Sequence, residues 1–174
     1  MGLFDLFTGT KRPAAGTPVL PAGQLRERLQ ALNRPTAPWR VLDGKADNVD
    51  LIAEWKVDDP AFREHFHKAN SSKVFRVYLK LDEAKHEVRA SDREYIVEWS
   101  RENDLLSVKL SLSVSGFKGQ KQEVSFGGPP AYTETLPSGE TVGYKFGANE
   151  LKKPVQEAVT GGGWTYQGVA FGKL

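Results

Sequence analysis

The chain of 174 residues contains no cysteine. That excludes disulfides, thiol nucleophiles and cysteine-held zinc or iron–sulfur groups. Histidine is nearly as scarce: only His65, His67 and His86 are present. No H-E-x-x-H, G-x-S-x-G or Walker-type phosphate loop occurs, so no cofactor or metal is expected and an enzymatic role is disfavoured. No apolar run approaches the roughly 18 residues that a membrane helix requires. A charge excess is also missing, with 24 basic against 22 acidic residues. A nearly neutral body gains little long-range steering toward nucleic acid, which is therefore not an expected partner. A secretory leader is lacking as well: Met1–Phe7 has no basic start, and Asp5 interrupts its short apolar stretch. Leu6 stands where an N-myristoylation signal wants Ser or Thr. The expectation is a cytoplasmic protein of bacterial type.

The basic residues that are present are unevenly placed. Residues 1–40 hold six Lys/Arg and two Asp/Glu, whereas residues 41–174 hold 18 and 20. Residues 8–23 are rich in Pro, Gly, Ala and Thr and read as a flexible linker. The chain therefore divides into an N-terminal segment, 1–22, and a single domain, 23–174. Leu3, Phe4, Leu6 and Phe7 crowd four large apolar side chains at the start of the segment, beside Lys11 and Arg12. Such a tip is a candidate docking element for a protein partner or for peripheral contact with an anionic membrane.

Within the domain, hydrophobic periodicity separates helices from strands. Leu25, Leu29 and Leu32 mark a helix over about 23–33. Asp59-Pro60 opens a second over about 59–70, and Asn149 a third over about 149–159, where Pro154 is an awkward inclusion. Alternation marks strands at 39–43, 49–57, 73–81, 88–99, 105–115, 121–126, 131–136, 141–146 and from Trp164 to Phe171. The expected fold is α+β: a curved antiparallel sheet of about seven or eight strands, with a partly closed barrel as the alternative, packed with two or three helices. In 88–99 the apolar phase slips from even to odd positions, which predicts a β-bulge near Asp92–Glu94. Asp50–Trp55 and Glu94–Trp99 share a pattern, but two copies do not make a repeat protein.

Few residues then offer chemistry. A bulge would leave Asp92 near the inward face beside Arg89 and Arg93, a candidate ligand or ion-pair site. Trp55 and Trp99, with Tyr95 and Leu110, would line a cavity if the curved sheet held a hydrophobic ligand. His65 and His67 fall on opposite sides of their helix and do not converge on a metal. The acidic cluster around Asp43–Asp50 lacks the ligand order of a calcium loop. Arg76, Tyr78 and Lys80 form a basic strand face that Glu94 and Glu98 are expected to neutralise. The leading reading is a non-enzymatic binding or accessory protein that acts through a protein partner. A lipid or hydrophobic-ligand carrier is the alternative, followed by an enzyme of unrecognised type.

Overall fold

The computed structural model describes residues 9–113, 128–170 and 174. The expected strand at 121–126 and the tip residues Leu3, Phe4, Leu6 and Phe7 lie outside them. Among the described residues eight strands and three α-helices follow one another as α1 (Ala22–Gln30), β1 (Trp39–Asp43), β2 (Leu51–Trp55), α2 (Arg63–Lys68), β3 (Lys73–Asp82), β4 (Glu87–Glu102), β5 (Leu105–Leu112), β6 (Tyr132–Thr135), β7 (Thr141–Tyr144), α3 (Ala148–Gly161) and β8 (Thr165–Gly168). The fold is α+β. β1 to β5 form an antiparallel meander in chain order, and β6 and β7 pair as a separate hairpin. β8 joins the main sheet parallel to β4, from Glu87–Thr165 to Ala90–Gly168. It shares one edge of β4 with β5, which pairs further along, from Tyr95–Leu112 to Glu102–Leu105. The sheet is open rather than closed into a barrel, and β8 makes it mixed rather than purely antiparallel. No helix among the described residues is long and apolar enough to cross a membrane.

Alternation sorts the side chains onto two faces. Val41, Ala53 and Val77 stand in one cross-strand row that continues to Asp92. This inner face carries the core, into which α1 sends Leu25 and Leu29 and α3 sends Leu151, Val155 and Val159. The two helices also touch directly, since Arg28 Nε donates to the Ala158 carbonyl at 2.9 Å. α3 is capped at Gly147 rather than at Asn149. The Glu150 carboxylate accepts from the Gly147 and Lys145 backbone N–H groups, satisfying donors that a helix start leaves unpaired. Pro154 sits inside its second turn. α2 is shorter than expected, because Asp59 Oδ1 and the Asp59 carbonyl close a separate turn ahead of it.

Two further expectations are corrected. The β3–β4 register runs without a slip from Lys73–Ile96 to Asp82–Glu87, so the bulge is absent. Val88, Ala90, Asp92 and Glu94 are all buried; the phase is unbroken, but two of its inward residues are acidic. Beyond Glu94 the odd side is covered instead. His67 of α2 meets Trp99 edge-on at 5.3 Å, Arg63 donates to the Leu106 carbonyl at 2.8 Å, and Arg101 pairs with Glu64 at 3.1 Å. A long twisted strand presents opposite sides to different neighbours at its two ends.

The segment expected as a linker is laid along the domain over residues 10–21. Lys11 and Tyr166 exchange backbone hydrogen bonds of 2.9 and 2.8 Å, Leu20 N–H donates to the Gly162 carbonyl, and Trp164 Nε1 donates to the Leu20 carbonyl. Gly163, at φ +79°, lets the chain turn under this strap, where a Cβ would press on the Pro18 carbonyl. Composition alone reads such a segment as loose, because its anchors are backbone groups and a distant tryptophan.

Candidate functional site

The β6–β7 hairpin leans on the main body and encloses an open pocket of about 380 Å³. Trp39 and Tyr144 floor it, Val142, Leu136 and Pro154 wall it, and Arg34, Asn149, Glu150 and Lys153 stand at its polar margin. The hairpin folds where Pro137-Ser138-Gly139 supplies a turn, with Gly139 at φ +89°. Tyr132 and Tyr144 face each other across it as a stacked pair. Tyr144 also sets its ring edge-on against Trp55, which packs on Phe66 and Phe146. An aromatic column thus ties the pocket floor to the core.

A buried ion pair holds the hairpin in place. Glu134 is 0% exposed. Arg34 reaches it with Nη2 at 2.7 Å and Nε at 3.1 Å, Thr36 Oγ1 donates at 3.3 Å, and Tyr144 OH lies at 3.5 Å. Tyr132 OH donates to the Thr36 carbonyl at 2.7 Å. The hydrogen bond to Glu134 raises the Arg34 pKa above its ordinary value despite partial burial. Burial raises the Tyr144 and Tyr132 phenols, and it lowers the pKa of Lys56, whose ammonium donates to the Arg34 carbonyl at 3.1 Å. The carboxylate at the pocket margin, Glu150, is thus already engaged by backbone N–H groups, and Glu134, which does not line the pocket, by side chains. Lys153 is exposed at the mouth and makes no ion pair with any described residue.

The residues singled out from sequence are not brought to this pocket, apart from Trp55 behind its floor. Asp92 is inward, but its partner is Lys152 of α3, Nζ to Oδ2 at 2.7 Å. Arg93 stands on the outer face with its guanidinium 4.0 Å over the Tyr78 ring, and Arg89 follows it at strand period. Trp99 lies at the far end of β4, donating from Nε1 to the Ser71 carbonyl at 2.8 Å, so it and Trp55 do not share a cavity. The three histidines meet three different aromatics: Tyr132, Trp99 and Trp164. Among the described residues no cluster of three or more His, Asp or Glu has the geometry to hold a metal. Arg34 and Glu134 were not singled out. The signal was there in part: Tyr132, Glu134 and Leu136 share one strand face, which puts a carboxylate in the inward phase.

The outer face also differs from expectation. Arg40, Glu54, Arg76 and Arg93 form one cross-strand row, in which Glu54 pairs with Arg40 at 2.8 Å and Arg76 at 2.7 Å. Glu94 points inward with Lys73, and Glu98 faces Lys109, so neither neutralises Arg76. Beside this row the Tyr78 and Tyr95 hydroxyls are 2.7 Å apart. Burial, then the hydrogen bond to Tyr95, pushes the Tyr78 phenol up to about 12. An unfolded tyrosine ionises near pH 10. The neutral phenol is therefore favoured by the fold, and its contribution is complete below about pH 10 and is lost between about pH 10 and 12. Unfolding free energy should fall across that window. In Tyr95→Phe the fall should be smaller and end at lower pH, with the folded protein's phenolate absorbance titrating earlier; an unchanged titration would contradict the assigned bond.

Comparison with models of known protein families, with curated proteins and with solved structures finds no match to this chain.

Proposed function

We propose that this chain is a non-catalytic binding domain of the cytoplasm that takes an amphiphilic small molecule, with an apolar body and one anionic group, in the pocket beneath the β6–β7 hairpin. The observation that carries the reading is the contrast within the pocket: an apolar floor of Trp39, Tyr144 and Val142, the margin carboxylate of Glu150 already engaged, and Lys153 unmatched at the mouth. The volume of about 380 Å³ falls within the roughly 300–1,000 Å³ usual for small-molecule sites. A non-catalytic role is supported by Glu134, whose lone pairs are taken by Arg34 and Thr36, so that it is poorly placed to accept a substrate proton.

Two fluorescent probes test this. Anilinonaphthalene sulfonate carries the anionic group and N-phenyl-1-naphthylamine lacks it. Both should bind saturably at one site, quench Trp39 emission and be displaced by dodecanoate. Val142→Trp should fill the pocket and abolish both signals while leaving the circular dichroism intact. Lys153→Ala should weaken the sulfonate about three- to ten-fold, a typical loss for one charge-assisted contact, and leave the neutral probe unchanged. Saturable binding that survives Val142→Trp, or no binding by either probe, would overturn the assignment.

A further inference from the structure

The ion pair of Lys152 and Asp92 differs from the other pairs that lysine makes among the described residues. Lys73–Glu94 and Lys109–Glu98 stand 3.4 and 3.9 Å apart, and their lysines are open to water. Lys152 Nζ stands 2.7 Å from Asp92 Oδ2, and both side chains are buried. Packing on either side fixes them in place. Asp92 continues the row Val41, Ala53 and Val77 at the middle of the sheet. Lys152 belongs to α3 beside Leu151 and Val155, which are core residues. The buried Arg34–Glu134 pair lacks one property that this pair has: a lysine amine is a nucleophile once it gives up its proton, whereas a guanidinium keeps its charge.

We propose that the folded chain joins these two side chains by an amide bond, Lys152 Nζ to Asp92 Cγ, with loss of one water. The Nζ–Oδ2 separation of 2.7 Å puts Nζ about 3–3.5 Å from Cγ, the range of a near-attack geometry. Burial disfavours both charges, so moving one proton along the hydrogen bond gives the neutral amine and carboxylic acid from which the reaction starts. The Nζ lone pair adds to Cγ. A second proton leaves nitrogen for the Oδ2 hydroxyl, the Cγ–Oδ2 bond breaks and water departs. Oδ1 remains as the amide carbonyl. No oxidant is needed, and water is the sole leaving group. While Cγ is tetrahedral, negative charge collects on Oδ1. The Tyr166 phenol, fully buried beside Asp92, stays protonated and pairs with no described residue, so it is the donor for that oxygen.

Holding the two groups together replaces a bimolecular encounter with an intramolecular one, for which effective concentrations reach roughly 10⁵–10⁸ M. The product is neutral, which relieves the desolvation cost of the ion pair. It also ties β4 to α3 across 60 positions of the chain, the kind of constraint a disulfide supplies, in a sequence with no cysteine. Freshly folded chain holds the ion pair, and the amide accumulates afterwards.

To test this, the full chain is held folded at neutral pH for several days and digested with trypsin. Mass spectrometry should find a branched peptide joining the stretches around Asp92 and Lys152, with trypsin no longer cutting after Lys152. The branch decides, not the intact mass, because Asp43-Gly44 loses the same water when an aspartate cyclises onto its own backbone. Chain held in concentrated urea should give no branch, since the geometry exists only in the fold. Lys152→Arg, which keeps the charge, should give none either. Tyr166→Phe should form the branch at least about tenfold more slowly, having lost one donor to the developing oxyanion. No branched peptide from the folded chain, an equal yield in urea, or a branch at Asp92 through another lysine would overturn the proposal. An unchanged rate in Tyr166→Phe would overturn the part given to Tyr166.

Discussion

Arg34→Met should destabilise the domain by about 3–5 kcal/mol, the usual cost of leaving a buried charge without its partner. Glu134 would keep only the hydroxyls of Thr36 and Tyr144, at 3.3 and 3.5 Å, in place of two guanidinium donors. Neither hydroxyl carries charge, and the carboxylate has no exposure through which water could compensate. Urea denaturation reads the loss directly. Hydrogen exchange should place it, with protection in 132–144 falling before that of β3 and β4, because Arg34–Glu134 and Tyr132–Thr36 fasten the hairpin to the body. The double variant Arg34→Met, Glu134→Leu should recover most of the stability, since an apolar pair of similar volume carries no desolvation penalty. A single variant within about 1 kcal/mol of the parent, the range of an exposed salt bridge, would show that the pair is hydrated in solution.

The second large effect is expected at Lys152→Met. Lys152 is 3% exposed and its partner Asp92 1%. They join α3 to the centre of the sheet, in a cross-strand row otherwise made of Val41, Ala53 and Val77. Tyr166 lies against the same carboxylate, and its fully buried phenol is held well above the ordinary tyrosine range by burial and by the charge of Asp92. Removing the ammonium takes away the charged donor that sits 2.7 Å from Asp92 Oδ2. The loss should again be about 3–5 kcal/mol, or a melting temperature lower by roughly 10 °C for a domain of this size. Lys152→Met with Asp92→Leu should return much of it. The two double variants should be additive, because the pairs share no partner among the described residues. If Lys152→Met alone is tolerated, the pair does not fix the seating of α3.

These two pairs also show where the sequence could be read and where it could not. The strands of the meander are legible because each alternates on its own, and the β6–β7 hairpin because its turn residues force it. β4 misleads because the inward phase passes through Asp92 and Glu94. Periodicity marks those as outward unless a lysine is known to arrive from a helix 60 residues away. Placing Asp92 beside Arg89 and Arg93 followed from the same step, since chain neighbours on a strand lie on opposite faces. The pocket was hidden for a related reason. Arg34 looks like part of a helix stop and Glu134 like a polar strand residue, and nothing local joins them. Asn33 likewise reads as the end of a helix, although its amide closes a sheet edge at Val41. A parallel strand inserted from the far end of the chain leaves no local trace at all.

That last insertion bears on the order in which the protein can be made. β4 leaves the ribosome long before β8, so the slot at Glu87–Ala90 stays unfilled during synthesis. Residues 10–21 meanwhile wait for the Gly162–Tyr166 stretch to which they attach. Contacts between such distant parts of a chain form late and slowly. The meander β1–β5 is therefore the part able to assemble co-translationally, with the strap and β8 closing together as a final step. For that interval the nascent chain carries an open strand slot in its sheet, a state in which partly folded chains are prone to aggregate.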